Sequence, residues 1–268
     1  MSNSMTNNTQ NDTQEIYKRL NGRNMIAIAS GKGGVGKTWL TITLAHAFAQ
    51  AGQKVLLVDG DLGLANVDIQ LGLNALYDLS GVLNGKIPMN KAVVYDENIG
   101  CDVLAGHTGS QAMTGLSEGQ LQLLRDDLYM LAPHYDYVFI DLGTGISKSM
   151  SLLAGYSGMV LIMCTDEPTS LSDAYTFIKI LSEQSQTPKM RIVVNFANTQ
   201  KEGERTFQTL SKACQNFLNI DLVLGGILHQ DSAVKECIKS QMPLLTSYPN
   251  TIIAKDVSDL AKQLMQEK

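Results

Sequence analysis

The stretch Ser30-Gly31-Lys32-Gly33-Gly34-Val35-Gly36-Lys37-Thr38 has the residue types and spacing that suit phosphate chemistry. Its glycines let the backbone wrap closely around phosphate oxygens with successive amides pointing inward, and a helix starting behind the loop adds partial positive charge. Lys37 then reaches the β- and γ-phosphates, and the Thr38 hydroxyl holds Mg²⁺. The spacing G-x-x-x-x-G-K-[ST] carries that meaning only between a strand and a helix. Both are expected here. Met25 to Ala29 is an apolar run short enough for a buried strand, and Trp39 to Gln50 is of helix length and ends before Gly52. A plain glycine-rich turn is the rival reading, and these flanks disfavour it. The chain is expected to bind a nucleoside triphosphate, with Val35 and Trp39 counted in the binding stretch.

Two further places supply carboxylates. Lys54 to Val58 reads as a strand buried on both faces of a parallel sheet, and it runs into Asp59-Gly60-Asp61. Carboxylates at the C-terminal end of such a strand suit water positioning and Mg²⁺ coordination. The alternative is a loop that caps the next helix; Asp68, farther on, reads as structural. Asp136 to Asp141 is a second apolar run ending in one carboxylate, Asp141, placed to hold Mg²⁺ through water. Leu142-Gly143-Thr144-Gly145-Ile146 follows, and its glycines let the backbone rearrange as a γ-phosphate comes and goes.

With 268 residues and 44% hydrophobic content the chain can bury a sizeable core, and no repeat or Pro-, Gly- or Ser-rich linker divides it. One domain over residues 23–268 is expected, behind a tail of residues 1–22 that is disordered or partly helical at Ile16 to Leu20. The net charge of -5, from 21 basic and 26 acidic residues, leaves no excess for sequence-independent DNA binding. Cys101, Cys164, Cys214 and Cys237 are far apart and lack C-x-x-C, which favours buried free thiols in a reducing cytosol over an iron-sulfur carrier. His46, His107, His134 and His229 are equally scattered, so no metal site other than one for Mg²⁺ is expected. No apolar run approaches the roughly 20 residues of a membrane span, and residues 1–15 lack the apolar core of a signal peptide. A cytoplasmic protein is expected.

Lys32, the second lysine of the loop, has no task in an ordinary phosphate loop. Here the sequence resembles the deviant Walker A ATPases of the MinD/ParA family, whose loop reads K-G-G-x-x-G-K-[ST]. The resemblance implies that Lys32 crosses an ATP-dependent homodimer interface to the partner's phosphates. It also implies that Asp61 orients and activates the attacking water, that Asp59 lies near the metal, and that Asn195 pairs its amide with adenine. Asp231 falls in the loop that packs beside adenine in that family. His229 replaces the proline of the family's I-P-x-D; it either stacks on the base or faces solvent from the loop, and the second reading is favoured. Thr144 stands where alanine is usual in D-x-x-A-G-[IL], and Asn74-Ala75 lacks the usual proline.

Glu167-Pro168-Thr169-Ser170-Leu171-Ser172-Asp173-Ala174-Tyr175 closely resembles the flagellar-number regulators of the FlhG/FleN type, a MinD-like branch. The resemblance implies that Glu167 touches the partner's nucleotide, although a helix entered at Pro168 and capped by Thr169 or Ser170 explains the stretch almost as well. It covers about residues 25 to 250. In the tail, Thr13 to Arg19 keeps only Gln14 and Arg19 of the D-Q-A-x-x-L-R motif that stimulates a partner GTPase.

The remaining chain supplies the frame. Strands are expected at Asp102 to Gly106, Met159 to Cys164, Arg191 to Asn195 and Leu222 to Leu228. Helical stretches run over Leu116 to Leu131 and up to Leu218, the latter begun or interrupted at Gly203, while Leu71 to Val94 reads as surface helices and turns. Ile252 to Met265 places Ile253, Val257, Leu260 and Leu264 on one side. Its charged residues Lys255, Asp256, Asp259, Lys262, Glu267 and Lys268 sum to zero, which favours packing onto the domain over stable membrane anchoring. The alternation implies an α/β fold, a doubly wound and mostly parallel sheet flanked by helices, with the nucleotide at the C-terminal strand ends. The reading that follows is a dimerising ATPase switch that uses ATP and Mg²⁺ and regulates flagellar number or placement. Its expected partner is a flagellar GTPase or a flagellar transcription regulator, with recruitment to a cell pole. A MinD-type division-site regulator and a ParA-type partition ATPase are the rivals.

Overall fold

The computed structural model describes residues 22–61, 63–106, 116–184 and 187–267. The expected tail helix at Ile16 to Leu20 lies outside them. The strands are β1 (Met25–Ser30), β2 (Val55–Gly60), β3 (Val93–Asp96), β4 (Cys101–Leu104), β5 (Tyr137–Thr144), β6 (Met159–Cys164), β7 (Lys189–Ala197) and β8 (Leu224–His229). They form one sheet in the order β3-β4-β2-β5-β1-β6-β7-β8, antiparallel only between β3 and β4. Every residue of β1, β2 and β6 is buried, as continuous apolar runs in a doubly covered parallel sheet should be.

The helices are α1 (Lys37–Gln50), α2 (Val67–Leu71), α3 (Leu79–Leu83), α4 (Met89–Ala92), α5 (Glu118–Leu131), α6 (Lys148–Gly155), α7 (Pro168–Ser182), α8 (Gln200–Leu218), α9 (Ser232–Ser240), α10 (Leu244–Ser247) and α11 (Ile252–Gln266). Side chains alternate across each strand, so the sheet divides the core in two. Val138, Ile140 and Leu142 of β5 pack with α3, α5, α6, α7 and α8, whereas Tyr137 and Phe139 pack with α1, α10 and α11. Phe48 of α1 meets Tyr137 and Phe139 edge-on, with ring centroids 4.7 and 5.0 Å away. Ile253, Val257, Leu260 and Leu264 of α11 are all buried in this second core, as their spacing predicts.

Register sets the height of the functional residues. Ile28 of β1 sits opposite Asp141 of β5, and Asp59 of β2 sits opposite the same Asp141. Parallel pairing thus brings both carboxylates level with the end of β1, where the glycine loop begins. All four cysteines are buried free thiols; burial pushes Cys164 up to about 12 and Cys214 up to about 11.

Three local readings change. The stretch from Leu71 to Val94 holds short helices but ends in an edge strand, β3, paired with β4. Neither Thr169 nor Ser170 caps α7: Glu167 occupies the cap position without a side-chain cap bond, and Ser170 Oγ accepts from the Thr165 amide at 3.0 Å. Gly203 neither begins nor breaks its helix, because Thr199 caps α8 and Gly203 lies in its first turns against β8. A Cβ there would stand 2.4 Å from Ile227 Cγ2. That close approach, not chain flexibility, explains the glycine.

Alanine exceeds glycine in helix propensity by about 1 kcal/mol, yet Gly203→Ala should lower stability by a net of about 1–3 kcal/mol through overpacking. Urea unfolding of the variant tests this, and an unchanged or raised midpoint would overturn the packing account.

Candidate functional site

The turn from β1 into α1 is built on glycine backbone. Gly34 and Gly36 have φ of +76° and +94°, values that favour glycine, and Gly36 forms the N-cap of α1. Gly33 and Gly34 are exposed, which leaves loop amides open at the start of a helix. Gly31 serves differently: a Cβ there would lie 2.4 Å from Asp173 Cβ and 2.7 Å from its backbone carbon, so it lets the loop rest on α7. Val35 is buried, and its carbonyl accepts a 2.8 Å bond from Asn195 Nδ2 at the end of β7.

Lys37 follows with only 7% of its surface exposed. Burial lowers its pKa from the ordinary lysine value, opposed by the charges of Asp141 and Asp61. Thr38 Oγ1 donates to Asp141 Oδ2 at 2.6 Å. Thr41, one turn on, shares its single hydroxyl hydrogen between Asp141 Oδ1 at 3.2 Å and the Lys37 carbonyl at 2.9 Å. Burial raises Asp141 to about 6, against the Thr38 bond, the Lys37 charge and the Thr41 bond, while Asp61 pushes the same way as burial. Thr38 and Asp141 form a pair of hard oxygen donors beside a buried lysine and a helix N-terminus, the donor set that Mg²⁺ with a phosphate takes. The residues present fit both groups.

Asp59 and Asp61 make different contacts. Asp59 is fully buried; its Oδ1 accepts from the Asp61 amide at 3.1 Å, and its Oδ2 accepts from the amides of Asn66 and Val67 at 3.0 Å each. It therefore anchors the loop that leads into α2, the capping alternative, while lying close enough to Asp141 to feel its charge. Burial first, and Asp141 second, push Asp59 up to about 7, opposed by the bonds from Val67, Asp61 and Asn66. Asp61 Oδ1 accepts from the Gly63 and Leu64 amides at 3.2 and 2.9 Å. A Cβ on Gly143 of β5 would lie 2.9 Å from that oxygen, so the glycine lets Asp61 sit directly against the strand that carries Asp141. Gly145, with φ of +102°, donates its amide to the Ser30 carbonyl at 3.1 Å and ties the segment after β5 to the phosphate loop. Thr144 faces that loop: a Cβ on Gly33 would be 3.6 Å from Thr144 Cγ2.

Lys32 stays at the rim. Its Nζ pairs with Glu167 and lies 3.2 Å from Thr169 Oγ1, both at the start of α7. Trp39, expected with the loop, is instead buried in the second core beside Ile42, because it begins the inward face of α1. Asn195 is brought to the loop: one Nδ2 hydrogen goes to the Val35 carbonyl and Oδ1 accepts from the Phe196 amide at 2.8 Å, which leaves the second Nδ2 hydrogen for another acceptor. Asp231 caps α9 and accepts from the Ala233 amide at 2.8 Å. His229 is not a solvent-facing loop residue. It ends β8, and both its amide and its Nδ1 bond Asp256 Oδ2, at 2.9 and 2.8 Å.

Thr41 has no part in the motifs, Asp173 enters only within the stretch Glu167 to Tyr175, and Asp256 only as one charge of the last helix. Thr41 had a signal, since it stands one turn from Thr38 on the same helix face. The contacts of Asp173 and Asp256 had none, because their partners lie 142 and 27 positions away.

Residues 26–244 match the family profile described as the CobQ/CobB/MinD/ParA nucleotide binding domain. The chain is 33% identical over 227 residues to the antiactivator FleN of Pseudomonas aeruginosa, covering 85% of this chain and 81% of that protein. It is 28% identical over 244 residues to the flagellum site-determining protein YlxH of Helicobacter pylori, covering 90% and 82%. Among solved structures it is similar to the cell division ATPase MinD of Pyrococcus furiosus, with a TM-score of 0.78, 23% identity and coverage of 91% and 99%. It is also similar to a chain of the MinC:MinD cell division protein complex of Aquifex aeolicus, with a TM-score of 0.73, 26% identity and coverage of 91% and 97%. The matched region runs from β1 to the start of α10 and holds every residue of the phosphate loop and its carboxylates, so the chain belongs to the CobQ/CobB/MinD/ParA nucleotide-binding domain family.

Proposed function

We propose that the protein is an ATPase switch, converting ATP and water to ADP and phosphate, which dimerises with ATP bound and regulates flagellar number or placement. The observation that carries the ATPase reading is the convergence of Lys37, the Thr38–Asp141 pair and Asp61 at the ends of β1, β5 and β2. The loop amides and Lys37 bind and orient the phosphates. Thr38 and Asp141 would hold Mg²⁺, which when bound withdraws charge from the phosphate oxygens. Asp61, held by its own loop amides and set against Gly143, orients the attacking water and accepts its proton.

The dimer reading rests on Lys32, whose partners are Glu167 and Thr169 and not the buried carboxylates of its own cleft. In the dimer it reaches across to the partner's phosphates. Glu167, released from Lys32, then faces the partner's nucleotide. Similarity to FleN and YlxH supports the flagellar reading, in which a flagellar GTPase or transcription regulator reads the ATP-bound state at a cell pole. Among the described residues, no helix is long and apolar enough to cross a membrane.

Asp61→Ala should bind ATP with near-normal affinity while hydrolysing it at least about 100-fold more slowly, and should accumulate as dimer in sedimentation with ATP. A variant that releases phosphate at the normal rate removes Asp61 from catalysis. Lys32→Ala should also be inactive, yet mixing it with Asp61→Ala should restore part of the rate, since one site of the mixed dimer regains both residues. A mixture as inactive as its components argues that Lys32 acts within its own subunit. In cells, deleting the gene should change the number or position of flagella seen by electron microscopy, and wild type but not Asp61→Ala should restore them. Normal flagella accompanied by minicells or lost replicons would move the protein to division or partition.

A further inference from the structure

We infer that the cavity at the N-terminal end of the sheet is a second ligand site, which takes a phosphorylated small molecule on Arg23 and Arg125 and biases the nucleotide end of the fold through α6 and α7. The site stands apart from the nucleotide reading above, and its regulatory effect rests on that reading.

The cavity measures 810 Å³, within the range of roughly 300–1,000 Å³ that small-molecule sites occupy. It opens between Arg23 before β1, Arg125 and Tyr129 of α5, the end of α6, and Gln184 and Pro188 beyond α7. β1 is six residues long, so this cavity and the phosphate loop lie at its opposite ends, roughly 20 Å apart. Close glycine packing builds the wall. A Cβ on Gly158 would stand 2.6 Å from the Arg23 carbonyl oxygen, and one on Gly22, whose φ is +69°, would stand 2.8 Å from Tyr129 Cε1. The Gly22 carbonyl accepts from the amides of Met25 and Gly158 at 2.9 and 2.8 Å, and Tyr129 donates its hydroxyl to the Tyr156 carbonyl at 2.9 Å. The backbone that presents Arg23 is thereby pinned to α5 and to the end of α6.

The cationic groups have donors to spare. Arg125 stands 5.1 Å over the Tyr156 ring and gives Nε and Nη2 to Asp126 Oδ1, at 2.8 and 2.7 Å. Those contacts fix the guanidinium and leave its remaining N–H groups unspent. Arg23 makes no hydrogen bond or ion pair among the described residues. No carboxylate is among the described residues that line the cavity, and the single charge of Asp126 beside it does not offset two guanidiniums. The surplus is therefore one of donors and of positive charge, and the forked donors of arginine match the oxygens of a phosphate. Tyr129, Leu152, Tyr156 and Pro188 supply apolar wall for the rest of the molecule.

Two helices connect this cavity to the phosphate loop. α6 starts just after Gly145, whose amide holds the Ser30 carbonyl, and it ends in the cavity wall at Gly155 and Tyr156. α7 starts beside Glu167, the partner of Lys32, and beyond its far end Gln184 lines the cavity. The same Gln184 gives Nε2 to the Ser151 carbonyl of α6 at 2.8 Å, so the two helices are tied together at the cavity. A ligand seated there bears on the ends of both, and a shift of either is felt at the nucleotide loops.

Calorimetric titration of the full chain with phenyl phosphate, alone and with saturating Mg-ADP, tests both parts. Wild type holding Mg-ADP should bind phenyl phosphate with a dissociation constant of about 1 mM or tighter, and phenol, which lacks the anion, at least about tenfold more weakly. Arg23→Gln should weaken phenyl phosphate by about ten- to hundredfold, the scale of a lost charge-assisted hydrogen bond, with an unchanged melting temperature because Arg23 has no partner in the fold. Arg125→Gln should do the same, and if it fails to fold, Arg23→Gln alone decides. Phenyl phosphate should change the affinity for Mg-ADP by about fivefold or more, and Mg-ADP should change the affinity for phenyl phosphate by the same factor. No binding by wild type, or undiminished binding by Arg23→Gln, overturns the site. Binding that Mg-ADP abolishes and Arg23→Gln leaves intact puts phenyl phosphate in the phosphate loop and overturns the site as well. An affinity for Mg-ADP that phenyl phosphate leaves unmoved overturns the regulatory effect. A chain that binds phenyl phosphate through Arg23 yet binds no Mg-ADP upholds the site and defeats the nucleotide reading.

Discussion

A carboxylate buried at the end of a parallel strand is the constraint on which the site depends. Taking Asp141 out of water costs several kcal/mol, and the hydroxyls of Thr38 and Thr41 each return about 1.5–3 kcal/mol as bonds to a charged group. The balance remains short, which is why Asp141 stays shifted up to about 6 even with Lys37 nearby. The cleft is therefore a place where a further positive charge is favoured. The same shortage acts on Asp59, two strands from β1, and its three amide bonds turn the cost into an anchor for the loop that presents Asp61. The position of Asp61 and the structure of its loop thus have a common origin in the burial of two carboxylates at one height.

The phosphate loop is held from two directions that are far apart in sequence. Gly31 rests on α7 through its contact with Asp173, and Val35 is bonded by Asn195 of β7. Both contacts fall on the side of β1 opposite the carboxylates. On the carboxylate side the Gly145 amide holds the Ser30 carbonyl and Thr144 lies against Gly33, so the loop is braced from both sides and pre-organised for phosphate. The ion pair of Lys32 with Glu167 lies on the α7 side, so any motion that withdraws Lys32 also alters the start of α7, the segment most specific to the flagellar branch.

Much of this was legible in the sequence. The strands β1, β2, β5 and β6 are apolar runs that need no context to be recognised, and the glycine loop is defined by its spacing alone. What was not legible depended on distant contacts. The edge strand β3 has only four residues, three of them partly or well exposed, so its sequence carries neither the burial of a core strand nor a clean alternation. Gly203 looked like a break because its reason, the Ile227 side chain, lies on a different element, the strand β8. One hydrogen of the Asn195 amide goes to a carbonyl 160 positions away, a contact that its own stretch of sequence does not announce. Trp39 follows the motif directly, yet one helical step of about 100° turns it from the cleft into the core. Motif membership gave proximity along the chain, and the helix period decided which side of the chain was meant.

The four cysteines have a practical bearing. Each is buried, none is bonded to another, and burial pushes their thiols well above the range in which a thiolate forms at neutral pH. The native surface is thus silent toward thiol-directed reagents. A single cysteine introduced on α7 or beside Lys32 could carry a spectroscopic label against a blank background, so that the proposed approach of two subunits could be followed in the otherwise unaltered chain.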